Sequence, residues 1–221
     1  KSVYARILEI QKSIKFDVTA GLYPGEYIKD IAKSIIKKKL IISFENYDLI
    51  KEDLGKFAMQ EAMAMIKNDL LSLGIKHDLF VSETDLVNKN NVNKAIKILE
   101  DKNYIYTGVL PKPKGDENED WEPRDQLLFK STLFGDDVDR ALKKSDGSWT
   151  YFANDVAYHL YKLDREYDQY INILGADHAG YLKRLQACVT ALSDSKVNFV
   201  CKVCQLVKLY QNGEPFKMSK R

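Results

Sequence analysis

A chain of 221 residues with 45% hydrophobic and 30% charged side chains reads as a soluble globular protein, either one large domain or one domain with a sizeable insertion. No apolar run is long enough to span a bilayer, and nothing at the start reads as a signal peptide. The 34 basic and 32 acidic side chains nearly cancel, which excludes the strongly basic footprint of a tight nucleic-acid module.

In chain order, Val3, Ile7, Leu8 and Ile10 have helical spacing, predicting a helix over 3–14. The Pro24-Gly25 pair marks a turn, and Tyr27, Ile28, Ile31, Ala32 and Ile35 predict a second helix, with Lys33, Lys37, Lys38 and Lys39 as a solvated basic terminus. A third helix is expected over 54–73, with Gly74 as its C-cap. A short strand is expected over 78–82, a helix over 91–102, and a surface loop over 111–123, rich in proline and acidic residues. From there strand and helix alternate: strand 127–134, helix from Tyr151, strand 170–174, helix 181–192, strand 198–209. Such alternation predicts an α/β fold with a parallel sheet. The expected division is a largely helical insertion over 1–125, then half of an α/β nucleotide-binding domain over 126–221.

Three cysteines, Cys188, Cys201 and Cys204, form no disulfide framework, which fits a reducing cytoplasm. Cys201-Lys-Val-Cys204 has metal-like spacing. It lies in an expected strand, however, where residues three apart point to opposite faces, so both read as ordinary core or surface cysteines.

Three segments carry chemistry. In Ser145-Asp-Gly-Ser-Trp-Thr-Tyr-Phe-Ala-Asn-Asp155, Thr150 is a plausible N-cap, and Phe152, Val156, Leu160 and Leu163 form the face to be buried. Tyr151, Asp155 and Lys162 lie on another face, with Tyr158 and His159 nearby. A carboxylate there could pair a cationic side chain bidentately, although a surface Asp beside a packed tyrosine explains the spacing equally well. In Ile171-Asn-Ile-Leu-Gly-Ala-Asp-His178, an apolar strand runs into Gly175, where a ribose or flat ring could approach the backbone. Asp177 could hold ribose hydroxyls and His178 a substrate or phosphate, or the pair could be an N-cap and a half-buried histidine. In Gly213-Glu-Pro-Phe-Lys-Met-Ser-Lys220, Lys217 and Lys220 flank a serine in a loop opened by Asn-Gly, suited to folding over a triphosphate.

Lys217-Met-Ser-Lys220 resembles the second signature of class I aminoacyl-tRNA synthetases. Gly175-Ala-Asp-His-Ala-Gly-Tyr181, Phe134-Gly-Asp-Asp-Val-Asp-Arg140, the segment 146–158 and Leu22-Tyr-Pro-Gly-Glu-Tyr27 resemble the arginine-specific branch in its bacterial form. The resemblance implies a Rossmann-like class I synthetase fold and ATP-dependent ligation of L-arginine to its tRNA through arginyl-adenylate. It implies ATP as substrate with Mg²⁺ accompanying it, a monomer, and no membrane partner. It assigns Tyr151, Asp155 and His178 to arginine or substrate, Gly175 and Asp177 to the adenosine and its ribose, and Lys217 and Lys220 to the phosphates in the transition state. Asp136, Asp137 and Asp139 read as loop-bracing.

The first signature of that class, a His-Ile-Gly-His type element, is absent around His77, His159 and His178. The chain is therefore expected to be a piece of the catalytic core, inactive alone. Two other readings are a different nucleotidyl-transferring enzyme of the same superfamily and a non-catalytic paralogue that binds RNA or a protein partner.

Overall fold

The computed structural model describes residues 1–17, 21–88, 90–111 and 123–216. By their internal contacts the described residues form two compact units, one within 1–79 and 208–216 and one within 80–207.

In the first unit, helices α1 (Ser2–Lys12) and α2 (Glu26–Lys37) and the long α3 (Tyr47–Ser72) bury one apolar face each. Val3, Ile7, Ile28, Ile31, Ala32, Ile35, Phe44 and Leu54 make the core, at the 3–4-residue spacing the sequence shows. The segment between α1 and α2 is held by polar bonds: the buried Arg6 donates to the Pro24 carbonyl (2.8 Å), and Ser2 Oγ accepts from the Tyr23 N–H (2.9 Å). The Leu22–Tyr27 motif is thus pinned to α1. Helix α3 starts earlier than its apolar spacing suggests, because Asn46 caps it, its Oδ1 accepting from Asp48 N–H (3.0 Å). At its far end Gly74 takes a positive φ of 74°, the left-handed conformation that closes a helix.

The second unit carries the α/β element. Helices α4 (Glu83–Asn88) and α5 (Asn91–Asp101) lead into strands β1 (Ile105–Gly108), β2 (Gln126–Phe129) and β3 (Arg140–Ala141), an antiparallel sheet. Then come α6 (Tyr151–Leu163), β4 (Gln169–Gly175), α7 (Leu182–Ser193) and β5 (Asn198–Cys204). Strands β4 and β5 pair in parallel from Gln169↔Asn198 to Gly175↔Cys204, with α7 as the crossover that a parallel pair requires. Val92, Ile96 and Leu99 from α5, Phe152 and Val156 from α6, and Cys188 and Leu192 from α7 close one core around Phe129 and Leu142. Burial pushes the Cys188 thiol pKa far up, so it serves as an apolar side chain.

Several expected elements change shape. No strand forms over 78–82. Instead Ser82 Oγ accepts from Asp85 N–H (3.3 Å), and Ser82-Glu-Thr-Asp85 starts α4, a side-chain cap outweighing a short apolar run. The strand expected over 127–134 stops at Phe129. Residues Ser131–Phe134 wind into a 3-10 turn because Asp139 Oδ1 accepts from both the N–H and the hydroxyl of Thr132. The strand expected over 198–209 ends at Cys204. Leu209–Gln211 (β6) instead pairs antiparallel with Glu214–Phe216 (β7) across Asn212-Gly213, both with positive φ, the turn type that matches hairpin twist. The sheet over 105–141 is antiparallel, so the parallel arrangement expected from alternation is seen in β4 and β5.

The acidic run 136–139 braces its loop. Asp136, whose side chain is 0% exposed, takes a two-pronged ion pair from Arg140 (2.7 and 2.6 Å) and the Asp137 N–H (2.8 Å). Burial alone would raise the Asp136 pKa, but these donors hold it below the usual carboxylate range. Asp137 pairs with Lys183 (2.6 Å) and Asp139 accepts from Tyr106 (2.9 Å).

Candidate functional site

Helix α6 presents the residues of most chemical interest. Thr150 starts it as expected, its Oγ1 accepting from Ala153 N–H (3.2 Å) while its own hydroxyl donates to the Ala141 carbonyl (2.9 Å). That second bond fixes the helix start to β3. With Phe152, Ala153, Val156 and Ala157 buried, the helix can present only one other face. Tyr151, Asn154, Asp155 and Tyr158 on that face, with Val81, Glu83 and Leu86 opposite, line a cavity of about 360 Å³. It lies wholly within the second unit.

Asp155 is half-buried, and among the described residues its carboxylate makes no hydrogen bond or ion pair. Burial, and then the charge of Glu83, push its pKa up to about 6; Arg184, His178 and Lys162 oppose that rise. Glu83 is itself held in place, Oε1 accepting from Asn154 Nδ2 (3.0 Å). Two carboxylates, one desolvated and unmatched, in a cavity walled by two tyrosines can take up a compact planar cation. Each added bidentate pair would satisfy an acceptor that is now costly to bury.

Tyr151 is mostly exposed, with the Lys144 ammonium 5.6 Å from its ring centre. His178 influences Asp155 electrostatically and sits at the surface, Nε2 3.6 Å from Asp177 Oδ2. Gly175 ends β4, and Asp177 and His178 follow in the 3-10 turn Ala176–Tyr181 that enters α7. A Cβ at Gly175 would meet the Asp177 carboxylate, so the glycine leaves that side chain room over the strand end. Asp177 does not line the Asp155 cavity, and neither does His178. Lys217 and Lys220 lie outside the described residues. Cys201 is half-buried and Cys204 exposed on β5.

Glu83 and Leu86 were missed in the sequence because 78–82 reads as a strand; the Ser82-Glu-Thr-Asp85 capping pattern ahead of Leu86-Val87 is the signal that marks the helix. Lys162 is more engaged than its sequence position suggests. Its ammonium donates to Asn172 Oδ1 (2.7 Å) and sits 4.5 Å from the Tyr158 ring centre, and burial lowers its pKa.

A parallel strand–helix–strand unit with polar residues at the carboxyl end of its first strand is an α/β arrangement, a class whose ligands commonly sit at strand ends. The comparisons narrow this. The arginine–tRNA ligase of Pelagibacter ubique is 54% identical over 222 aligned residues, and that of Cereibacter sphaeroides 48% over 224. Each alignment takes in the whole of this chain and 38% of the relative, so the chain spans well under half the length of the curated relatives it matches. A crystal structure described as an arginyl-tRNA synthetase of Campylobacter jejuni superposes with a TM-score of 0.77 at 30% identity, over 98% of this chain and 44% of that one. No protein-family model matches the chain. Over their whole length these 221 residues are similar to a segment of arginine–tRNA ligases. No helix among the described residues is long and apolar enough to cross a membrane.

Proposed function

We propose that this chain supplies the arginine-recognising part of an ATP-dependent arginine–tRNA ligase. The observation that carries the reading is the Asp155 carboxylate, half-buried and, among the described residues, without a hydrogen bond or ion pair, beside Glu83 in a cavity lined by Tyr151 and Tyr158. A guanidinium matches a carboxylate bidentately and stays charged at any pH the protein meets. It would relieve the repulsion between Asp155 and Glu83 and recover the desolvation that now holds the Asp155 pKa high.

In the reaction, the arginine carboxylate attacks the α-phosphorus of ATP, the bond to pyrophosphate breaks, and arginyl-adenylate forms. The arginyl group then passes to the terminal adenosine of the tRNA. Mg²⁺ would enter with ATP as part of that substrate. Gly175 and Asp177, at the carboxyl end of β4, would receive the adenosine and its ribose, and His178 would touch the substrate from the same turn. Lys217 and Lys220 would neutralise charge developing on the phosphates. The chain by itself is expected to be inactive, because its 221 residues contain no His-Ile-Gly-His type element.

Glu83→Gln removes one of the two negative charges in the cavity. Arginine affinity should fall about tenfold, and the Asp155 pKa should drop from about 6 towards the ordinary value, read by calorimetry and carboxyl NMR.

The reading is tested by arginine-dependent exchange of pyrophosphate into ATP, with tRNA present. The enzyme would be the Pelagibacter ubique ligase with its corresponding segment replaced by this chain. Exchange that depends on arginine and is lost with Asp155→Asn supports it. A folded chimera with no arginine-dependent exchange would shift the reading to a non-catalytic paralogue.

A further inference from the structure

A buried polar relay runs behind the Asp155 face. His159, 3% exposed, has Nδ1 2.8 Å from the Asp155 backbone carbonyl oxygen and Nε2 3.0 Å from Asn172 Nδ2. Asn172 Oδ1 is 2.7 Å from the Lys162 ammonium. The proton positions follow from the two ends. A carbonyl only accepts, so Nδ1 must carry the hydrogen. An ammonium only donates, so the amide oxygen must face Lys162 and its NH₂ must face His159. Nε2 is then the acceptor, and all three contacts agree on one neutral tautomer. Burial favours the same state, lowering the His159 pKa to about 4, and Phe199 packs edge-on to the ring at 5.6 Å. A helical carbonyl keeps a second lone pair after its own helical bond, so the imidazole can hold that turn without breaking it.

The relay joins two elements that the proposed reaction uses together. Asp155, Tyr158, His159 and Lys162 are on α6, and Asn172 is on β4, three residues before Gly175. We propose that Asn172 is a positioning residue for guanidinium recognition: by locking His159 in the Nδ1–H tautomer it anchors the Asp155 turn of α6 to β4, so that the Asp155 carboxylate is held in the cavity. This rests on the Asp155 reading above and adds Asn172, His159 and Lys162 to it. A side chain that orients a ligand-binding group through one intermediary commonly changes affinity by tenfold or more.

The test uses the 221-residue chain with ¹⁵N-labelled histidine, titrated with L-arginine. His159 should show a protonated Nδ1 and an unprotonated Nε2 at neutral pH. Asn172→Ala should turn that signal into a tautomer mixture and weaken arginine binding about tenfold, with the circular-dichroism spectrum unchanged. A protonated Nε2 in the unsubstituted chain would overturn the proposal, as would unaltered arginine affinity in Asn172→Ala. If Asp155→Asn abolishes binding while Asn172→Ala does not, the relay fails and the Asp155 reading stands. If Asp155→Asn leaves affinity unchanged, the reading fails and the relay's role falls with it.

Discussion

Asp155→Asn should cost about 10³-fold or more in arginine-dependent activation while making the protein more stable above pH 6. The two effects have one cause. In the folded chain burial and the nearby Glu83 push the Asp155 pKa up to about 6, against an unfolded value of about 3.9. A raised carboxylate pKa means that ionisation is harder in the folded state. Below about pH 4 the group is protonated in both states and costs nothing. Between about pH 4 and 6 the unfolded chain ionises first and stability falls, and above about pH 6 the cost is present in full. After discounting for solvent screening of a half-buried group, that cost is about 1–2 kcal/mol. Asparagine keeps the shape and removes the charge, so its unfolding curve should match the parent's near pH 4 and lie above it at pH 7. The functional loss is larger, because a guanidinium left without its buried counter-charge is rejected by factors of about 10³–10⁴. Urea titrations at pH 4 and pH 7, with pyrophosphate exchange in the chimera, read both. A carboxylate that served only packing would show no such opposition between stability and activity.

The largest purely structural effect is expected at Asp136. Asp136→Ala should destabilise the 80–207 unit by about 3 kcal/mol, since it leaves the guanidinium of Arg140 without its two-pronged partner at a side chain only 19% exposed. The Asp136 pKa is depressed by that pair, so its stabilising contribution is present above the unfolded value of about 3.9. It is lost as pH falls through the lower folded value. Replacing both partners, Asp136→Leu with Arg140→Met, should cost less than Asp136→Ala alone. Removing a whole buried pair leaves no orphaned charge, whereas removing one partner does. Denaturant titrations of the three variants settle the order. An Asp136→Ala protein as stable as the parent would contradict the bracing role.

What the sequence revealed followed from how local each signal was. Helix α6 was legible because its cap, Thr150, and its buried face, Phe152 to Leu163, are adjacent in the chain. The β4–α7–β5 unit was legible because an apolar run, a helical period and a second apolar run follow one another. The cavity was half legible. Tyr151 and Asp155 share a helix face and could be paired by counting, whereas Glu83 stands about 70 positions away, and only packing of α4 against α6 brings it opposite. The expected strand over 78–82 hid it, since Leu79, Phe80 and Val81 favour a strand, whereas in the structure the Ser82 cap starts α4 instead. The same competition ended the strands at Phe129 and Cys204, where side-chain bonds from Asp139 and an Asn-Gly turn decided the backbone. Burial of His159 was not legible either. Its position reads as near the polar face, and its role emerges only with Asn172 across from it.

The most direct test of the central claim is a ¹³C NMR titration of the Asp155 carboxyl in this chain, with and without saturating L-arginine. The cavity described here predicts a midpoint near pH 6 without ligand, moved well below the ordinary carboxylate range by arginine and left in place by citrulline, which has the same length and no charge. A midpoint that arginine does not move would mean that the guanidinium does not meet Asp155, and the proposed recognition site would be wrong.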